Sequence, residues 1–242
     1  MGIVERLFGR RGMAGVGDHP DRVTLTRGSP LLSLTEHGAA MGSLRVSLTW
    51  SMRQAAVEQR ERRLGASLRP SRLFKPIEAE SPSSVAMVTV DLDLGCMYEL
   101  EDGTKGVAQP LGGLFGDFDR PPYVQLSGDD RFGSSGETMY INLDMHDRIR
   151  RMLIFAYIYD GTPAFDRAKA VVTLYPYVGP RIEVHLDERA PEARSCAVAM
   201  VEKHNGELMV RREVRYVYGF QAELDRLYGW GLEWARGYKD RI

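Results

Sequence analysis

Apolar and polar residues alternate over long stretches of the chain. Val23-Thr24-Leu25-Thr26 and Leu44-Arg45-Val46-Ser47-Leu48-Thr49-Trp50 repeat with period two, the signature of strands with one buried face. Further strand-like runs follow at 85–93, 95–100, 123–126, 139–143, 153–159, 171–175 and 181–186, punctuated by Gly, Asp, Asn and Pro. Residues 195–203 and 207–217 flank His204-Asn205-Gly206, and the Asn-Gly pair predicts a closing hairpin. Helix is minor. Residues 145–151 predict a turn, and 221–234 place Leu224, Leu227, Tyr228 and Leu232 at the spacing of a face packed on a sheet. With no long amphipathic helices to form crossovers, the pattern predicts an all-β chain: a β-sandwich of two mainly antiparallel sheets with minor helix.

Two stretches break the pattern. Residues 1–21 carry Ile3, Val4, Leu7 and Phe8 beside Arg6, Arg10 and Arg11 before running into glycines. They predict a mobile tail, with a short amphipathic turn that touches a membrane or partner as the alternative. Between 51 and 84 the alternation stops, and residues 53–75 hold seven basic side chains against Glu58 and Glu61. This reads as an insertion, either a solvated loop or a basic docking surface, within a single domain over 22–242. Residues 54–64 are compatible with helix, whereas Arg69-Pro70 and Lys75-Pro76 favour extended backbone.

Composition narrows the functions. Hydrophobic residues make up 43% and charged residues 27% of the 242, typical of a folded chain rather than a disordered one. A net charge of −1 gives no global basic field, which argues against nucleic acid as a partner. Cys96 and Cys196 lack C-x-x-C spacing, so neither zinc nor a disulfide framework is signalled. No apolar run nears the roughly 20 residues that span a bilayer, and the first twenty residues lack a secretory core. The expected location is cytoplasmic. His19, His37, His146, His185 and His204 are scattered, with no Ser/His/Asp order and no phosphate-cradling glycine loop. The expectation is a non-enzymatic protein, with divalent-metal hydrolysis through paired carboxylates as the alternative.

The informative chemistry is acidic. Asp91-Leu92-Asp93 ends an apolar run, and alternation puts both carboxylates on one side, roughly 7 Å apart. A second segment, from Ser127 to Glu137, sets Asp129, Asp130 and Glu137 among three glycines, which let the backbone turn tightly enough for oxygens to converge. Calcium takes about 6 to 8 oxygen ligands, and an oxygen-only set disfavours zinc or copper. The spacing does not fit an EF-hand, whose alternate ligands would fall on Arg131 and Gly133. From the residues alone, a calcium site and a solvated acidic rim both stand. Asp102, Asp117 and Asp119 are further acidic candidates of lower rank.

The order of these pieces resembles the TerD-domain family of bacterial tellurium-resistance proteins, of the TerA/TerD type. It is carried by 23–28, Val46-Ser47-Leu48-Thr49-Trp50, Asp91-Leu92-Asp93-Leu94, Ser127-Gly128-Asp129-Asp130-Arg131-Phe132-Gly133, Met139-Tyr140-Ile141-Asn142-Leu143, 153–160, 197–202 and Trp230-Gly231-Leu232. The resemblance implies a β-sandwich that binds Ca2+ between acidic loops at one end and has no catalytic centre. Its ligands would be Asp91, Asp93, Asp129, Asp130 and Glu137, with Asp160 at a matching acidic position as a sixth. It further implies an adaptor in tellurite and chemical stress and phage resistance, working with other Ter-type stress proteins in the cytoplasm or peripherally at the inner membrane. Two departures are visible. Ser134-Ser135-Gly136-Glu137 stands where relatives continue with more acidic residues, and Gly112-Gly113-Leu114-Phe115-Gly116 replaces a more usual aromatic strand.

Overall fold

The structure, a computed structural model, describes residues 21–50, 90–127, 136–161 and 165–235. The expectations for 1–20, for the insertion at 51–84 and for 85–89, together with Asp129 and Asp130, lie outside the described residues.

Alternation in Leu44-Arg45-Val46-Ser47-Leu48 becomes strand β3 (Ser43–Thr49), preceded by two short strands, β1 (Arg22–Thr24) and β2 (Leu31–Ser33). Leu44, Val46 and Leu48 turn inward and are fully buried. After β3 come β4 (Val90–Leu100), β5 (Lys105–Ala108), β6 (Gly116–Asp117), β7 (Val124–Leu126) and β8 (Glu137–Asn142). A 3-10 turn (Leu143–Arg148) leads into the long strand β9 (Ile149–Gly161), and a one-turn helix α1 (Phe165–Ala168) precedes β10 (Ala170–Tyr175) and β11 (Arg181–Leu186). The chain closes with the hairpin β12 (Ser195–His204) and β13 (Glu207–Val217) and the helix α2 (Gln221–Tyr228).

Among the described residues these strands form two sheets. Sheet A runs β1-β11-β10-β3-β8-β7-β6, and sheet B runs β2-β13-β12-β9-β4-β5. Every pairing is antiparallel except β1 with β11. Inward side chains of both sheets, among them Leu48, Ile141, Val172 and Val184 from sheet A and Leu92, Leu94, Ile154 and Val198 from sheet B, merge into one core. The predicted β-sandwich is therefore observed. No helix among the described residues is long and apolar enough to cross a membrane.

Several local expectations shift. From Val90 on, the two runs before Leu100 are one continuous strand, because Leu94 and Gly95 pair in register with Ala156 and Phe155 and no turn intervenes. The turn predicted over 145–151 is shorter, since β9 already begins at Ile149. The helix predicted to Trp234 stops at Tyr228, where Gly229 adopts φ +65° and closes the helix as a left-handed cap. Asn205 and Gly206, at φ +52° and +86°, make the predicted hairpin turn.

The central strands of sheet B, β4, β9 and β12, are buried on both faces. The outer side of the sheet carries a second apolar cluster in which Met97, Leu153, Phe155, Tyr157, Ala197 and Met200 meet Leu224 and Trp230. The segment after Gly229 is pinned by Asp225, whose Oδ1 accepts from the Gly231 amide at 2.7 Å and whose Oδ2 accepts from the Leu232 amide and the Trp234 indole, each at 2.7 Å. Trp230 donates its indole N–H to the Tyr98 carbonyl at 2.9 Å, and the Arg151 guanidinium stacks 3.9 Å above its ring.

Candidate acidic site at one end of the sandwich

At the end where β3 finishes and β8 begins, the two sheets are tied together by Trp50, whose Nε1 donates to the Val90 carbonyl at 3.1 Å. Val90 opens β4, so this bond brings Asp91 and Asp93 to the same end as Glu137, the first residue of β8 and the register partner of Leu48. Gly136 makes the approach feasible. It sits at φ +79°, and a Cβ there would lie 2.0 Å from the Leu48 carbonyl oxygen. This is the backbone freedom expected of the glycines in the 127–137 segment.

Pairing between β4 and β9 places a third acidic residue. Asp91 stands opposite Asp160, and Asp93 opposite Tyr157, with a bulge between Asp91 and Leu92. Asp160 also accepts from its neighbouring Gly161 amide at 2.7 Å. The two aspartates of the D-x-D run differ in environment: Asp91 is exposed, while Asp93 is 0% exposed. The solvated-rim reading therefore does not describe Asp93.

Tyr157 gives the electrostatic link between the sheets. Its phenol is pushed far above the ordinary tyrosine range, first by burial, then by the Asp93 carboxylate, and further by the Glu137 carboxylate. Asp93 and Glu137, from different sheets, thus act on one buried hydroxyl. Sequence reading did not single out Tyr157, because a tyrosine in Leu153-Ile154-Phe155-Ala156-Tyr157 looks like core. Only the register of β4 with β9 reveals that it faces Asp93.

Four of the six predicted ligands, Asp91, Asp93, Glu137 and Asp160, thus belong to one end of the sandwich, and Asp129 and Asp130 lie outside the described residues. Among the described residues, no three His, Cys, Asp or Glu side chains are close enough to form a metal cage. The side chains concerned offer oxygen donors alone, one of them on the buried Asp93, and oxygen is the donor type a hard cation takes. The lower-ranked acidic residues are engaged locally. Asp102 accepts from the Thr104 amide at 2.9 Å, and Asp117 accepts from the Asp119 and Arg120 amides, each at 2.9 Å. Those backbone bonds hold both carboxyls below the usual range.

The thiols lie elsewhere. Cys96 and Cys196 are both free and fully buried, and burial pushes both well above the ordinary thiol range.

Over 220 residues, 90% of this chain, the sequence is 38% identical to the tellurium resistance protein TerA of an Alcaligenes species. The chain spans 58% of that relative's length. Among solved structures, a homologue of the telluride resistance protein TerD from Streptomyces coelicolor A3(2) matches 76% of this chain and 95% of its own, with 18% identity and a TM-score of 0.44. No family model matches the chain.

Proposed function

From the relationship of this chain to the tellurium resistance protein TerA, we propose that it serves tellurite and chemical-stress resistance, phage resistance included, as a calcium-binding adaptor rather than as an enzyme. The observation that supports the calcium reading is that Asp91, Asp93, Glu137 and Asp160 lie at one end of the sandwich, with Asp93 fully buried. Asp129 and Asp130 complete the proposed ligand set. A cation shared by carboxylates from β4, β9 and the segment before β8 would offset their mutual repulsion and join the two sheets. The stiffened end would then present a calcium-dependent surface to other Ter-type stress proteins, in the cytoplasm or at the inner face of the membrane. Acidic side chains with no nucleophile–base pair among them suit ion binding better than hydrolysis.

The test is thermal unfolding in chelator and in millimolar calcium, for the wild type and for the Asp91→Asn/Asp129→Asn variant. A ligand at about 100 times its Kd adds about 2.7 kcal/mol to the native state, a rise in Tm on the order of 5–10 °C for a chain of this size. The wild type is expected to shift and the variant not to. A wild type that melts at one temperature in both buffers would leave the acidic end as an ion-independent docking surface.

A further inference from the structure

Strand β13 is longer than the strand that borders it. Its partner β2 pairs with it only at Met209–Arg211, and the ladder ends where the Arg212 amide donates to the Pro30 carbonyl at 2.7 Å. From Glu213 to Val217, among the described residues, β12 lies on one side and no strand on the other. The Val217 carbonyl is turned toward β12, where it accepts from the Arg194 amide at 2.9 Å, so alternation turns the amide and carbonyl of Tyr216 to the open side. An edge of this kind is a template for another strand. Beside it runs a cleft of about 800 Å³, with residues 216–219 along one wall and Glu223, Arg226 and Leu227 of α2 along the other. Those three helical positions share one face, while the buried Leu224 packs on sheet B. The walls are apolar and wet: Tyr218 is 74% and Leu227 45% exposed, and Phe220, at the start of α2, is 49% exposed. Large apolar groups gathered at one place on a surface mark a contact site. The surface also has a sign. Arg226 is paired with Glu223, whereas Arg215, exposed on the strand face that carries Val217, makes no ion pair among the described residues.

We propose that the cleft between β13 and α2 is a docking groove for an extended, acidic segment of a partner protein, which adds to sheet B as a further strand. The segment's backbone bonds to that of Tyr216, one of its apolar side chains enters beside Tyr218 and Leu227, and a carboxylate meets Arg215. A groove between an edge strand and a helix supplies both halves of such recognition, since main-chain bonds give affinity and the side-chain pocket selects. The proposal goes beyond the calcium reading and does not depend on it; the measurements are made in chelator, so that the two stand or fall separately.

The probe is a random peptide library displayed on phage and selected against the full chain; the best peptide is then synthesised and titrated by fluorescence anisotropy. It is expected to alternate apolar with other residues and to carry net negative charge. Leu227→Asp and Arg215→Glu, both surface changes whose fold circular dichroism checks, are each expected to weaken its binding about tenfold or more. N-methylating alternate backbone amides of the peptide is expected to abolish binding in one phase and spare it in the other, because only one set of amides faces β13. Amide exchange followed by NMR is expected to slow at Tyr216 when the peptide is bound. A selection that returns no binding peptide overturns the proposal, as does a peptide that binds wild type and both variants alike or tolerates N-methylation in either phase. A Tyr216 amide already protected in the wild-type monomer, before peptide is added, would mean that a segment of this chain fills the groove. Protection confined to a dimer that Leu227→Asp splits, seen by sedimentation, would give the groove to a second copy. Either result overturns the assignment to a partner.

Discussion

Glu99 shows what a buried carboxylate needs on this scaffold. It is 6% exposed within β4 and has three cations around it: Arg151 Nε at 2.6 Å, Arg150 at 3.6 Å and Lys105 Nζ at 3.8 Å. Burial pushes its carboxyl up, but the hydrogen bond and charge of Arg151, helped by Lys105 and Arg150, outweigh that and hold it below the ordinary range. A carboxyl whose folded value lies below its unfolded value of about 4.3 contributes stability above that pH and loses it as pH falls toward the folded value. The urea midpoint of the wild type is therefore expected to fall more steeply between about pH 6 and pH 3 than that of Glu99→Gln. Parallel pH profiles would mean that these ion pairs add nothing to the folded state. Asp93 meets the same electrostatic problem toward the other end of β4, opposite Tyr157, and it is there that a bound cation is proposed.

At the scale of elements, the C-terminal segment decides how sheet B is finished. Helix α2 and Trp230 cover the outer face of β9 and β12, and Asp225 gathers the amides and indole that would otherwise fray after Gly229. Trp230→Ala removes a 1% exposed indole together with its bond to Tyr98 and its stack under Arg151. The expected cost is about 3–5 kcal/mol, read as a Tm lower by roughly 10 °C or more. A loss below about 1 kcal/mol would show that the segment rests on the sheet without supporting it. This element also marks the limit of what the sequence makes legible. Strands with one buried face, such as β3 and β11, alternate and are found; the β12–β13 hairpin announces itself through Asn-Gly. The strands β2, β5 and β6, of three, four and two residues, have too few positions to show a period. In β9 the apolar run is continuous because both faces are covered, so nothing in it says that Phe155 and Tyr157 face a second cluster while Ile154 and Ala156 face the first. The acidic site is legible as two motifs, Asp91-Leu92-Asp93 and the 127–137 segment. That Asp91, Asp93 and Glu137 share one end, and that Tyr157 stands opposite Asp93, depends on long-range register that no local pattern carries.

Over the whole molecule, chemistry and packing are separated. Asp91, Asp93, Glu137 and Asp160 lie at one end of the sandwich, while the sulfur nucleophiles Cys96 and Cys196 lie fully enclosed in the core between the sheets. A tellurium oxyanion reduced or ligated by a thiol needs thiolate at the surface, and burial here opposes both ionisation and access. Resistance conferred through the acidic end would require no thiol at all. The Cys96→Ala/Cys196→Ala variant is therefore expected to keep calcium-dependent stabilisation and, expressed in a tellurite-sensitive host that the wild type protects, to confer the same tolerance. The Asp91→Asn/Asp129→Asn variant is expected to lose both. Both variants must first show the wild-type far-ultraviolet circular dichroism spectrum, since the cysteine substitutions each leave a small void in a close-packed core. If the folded cysteine variant loses tolerance while its calcium response persists, resistance runs through sulfur, and the acidic end serves stability alone. If the carboxylate variant loses tolerance and the cysteine variant does not, the working surface of this sandwich is its acidic end.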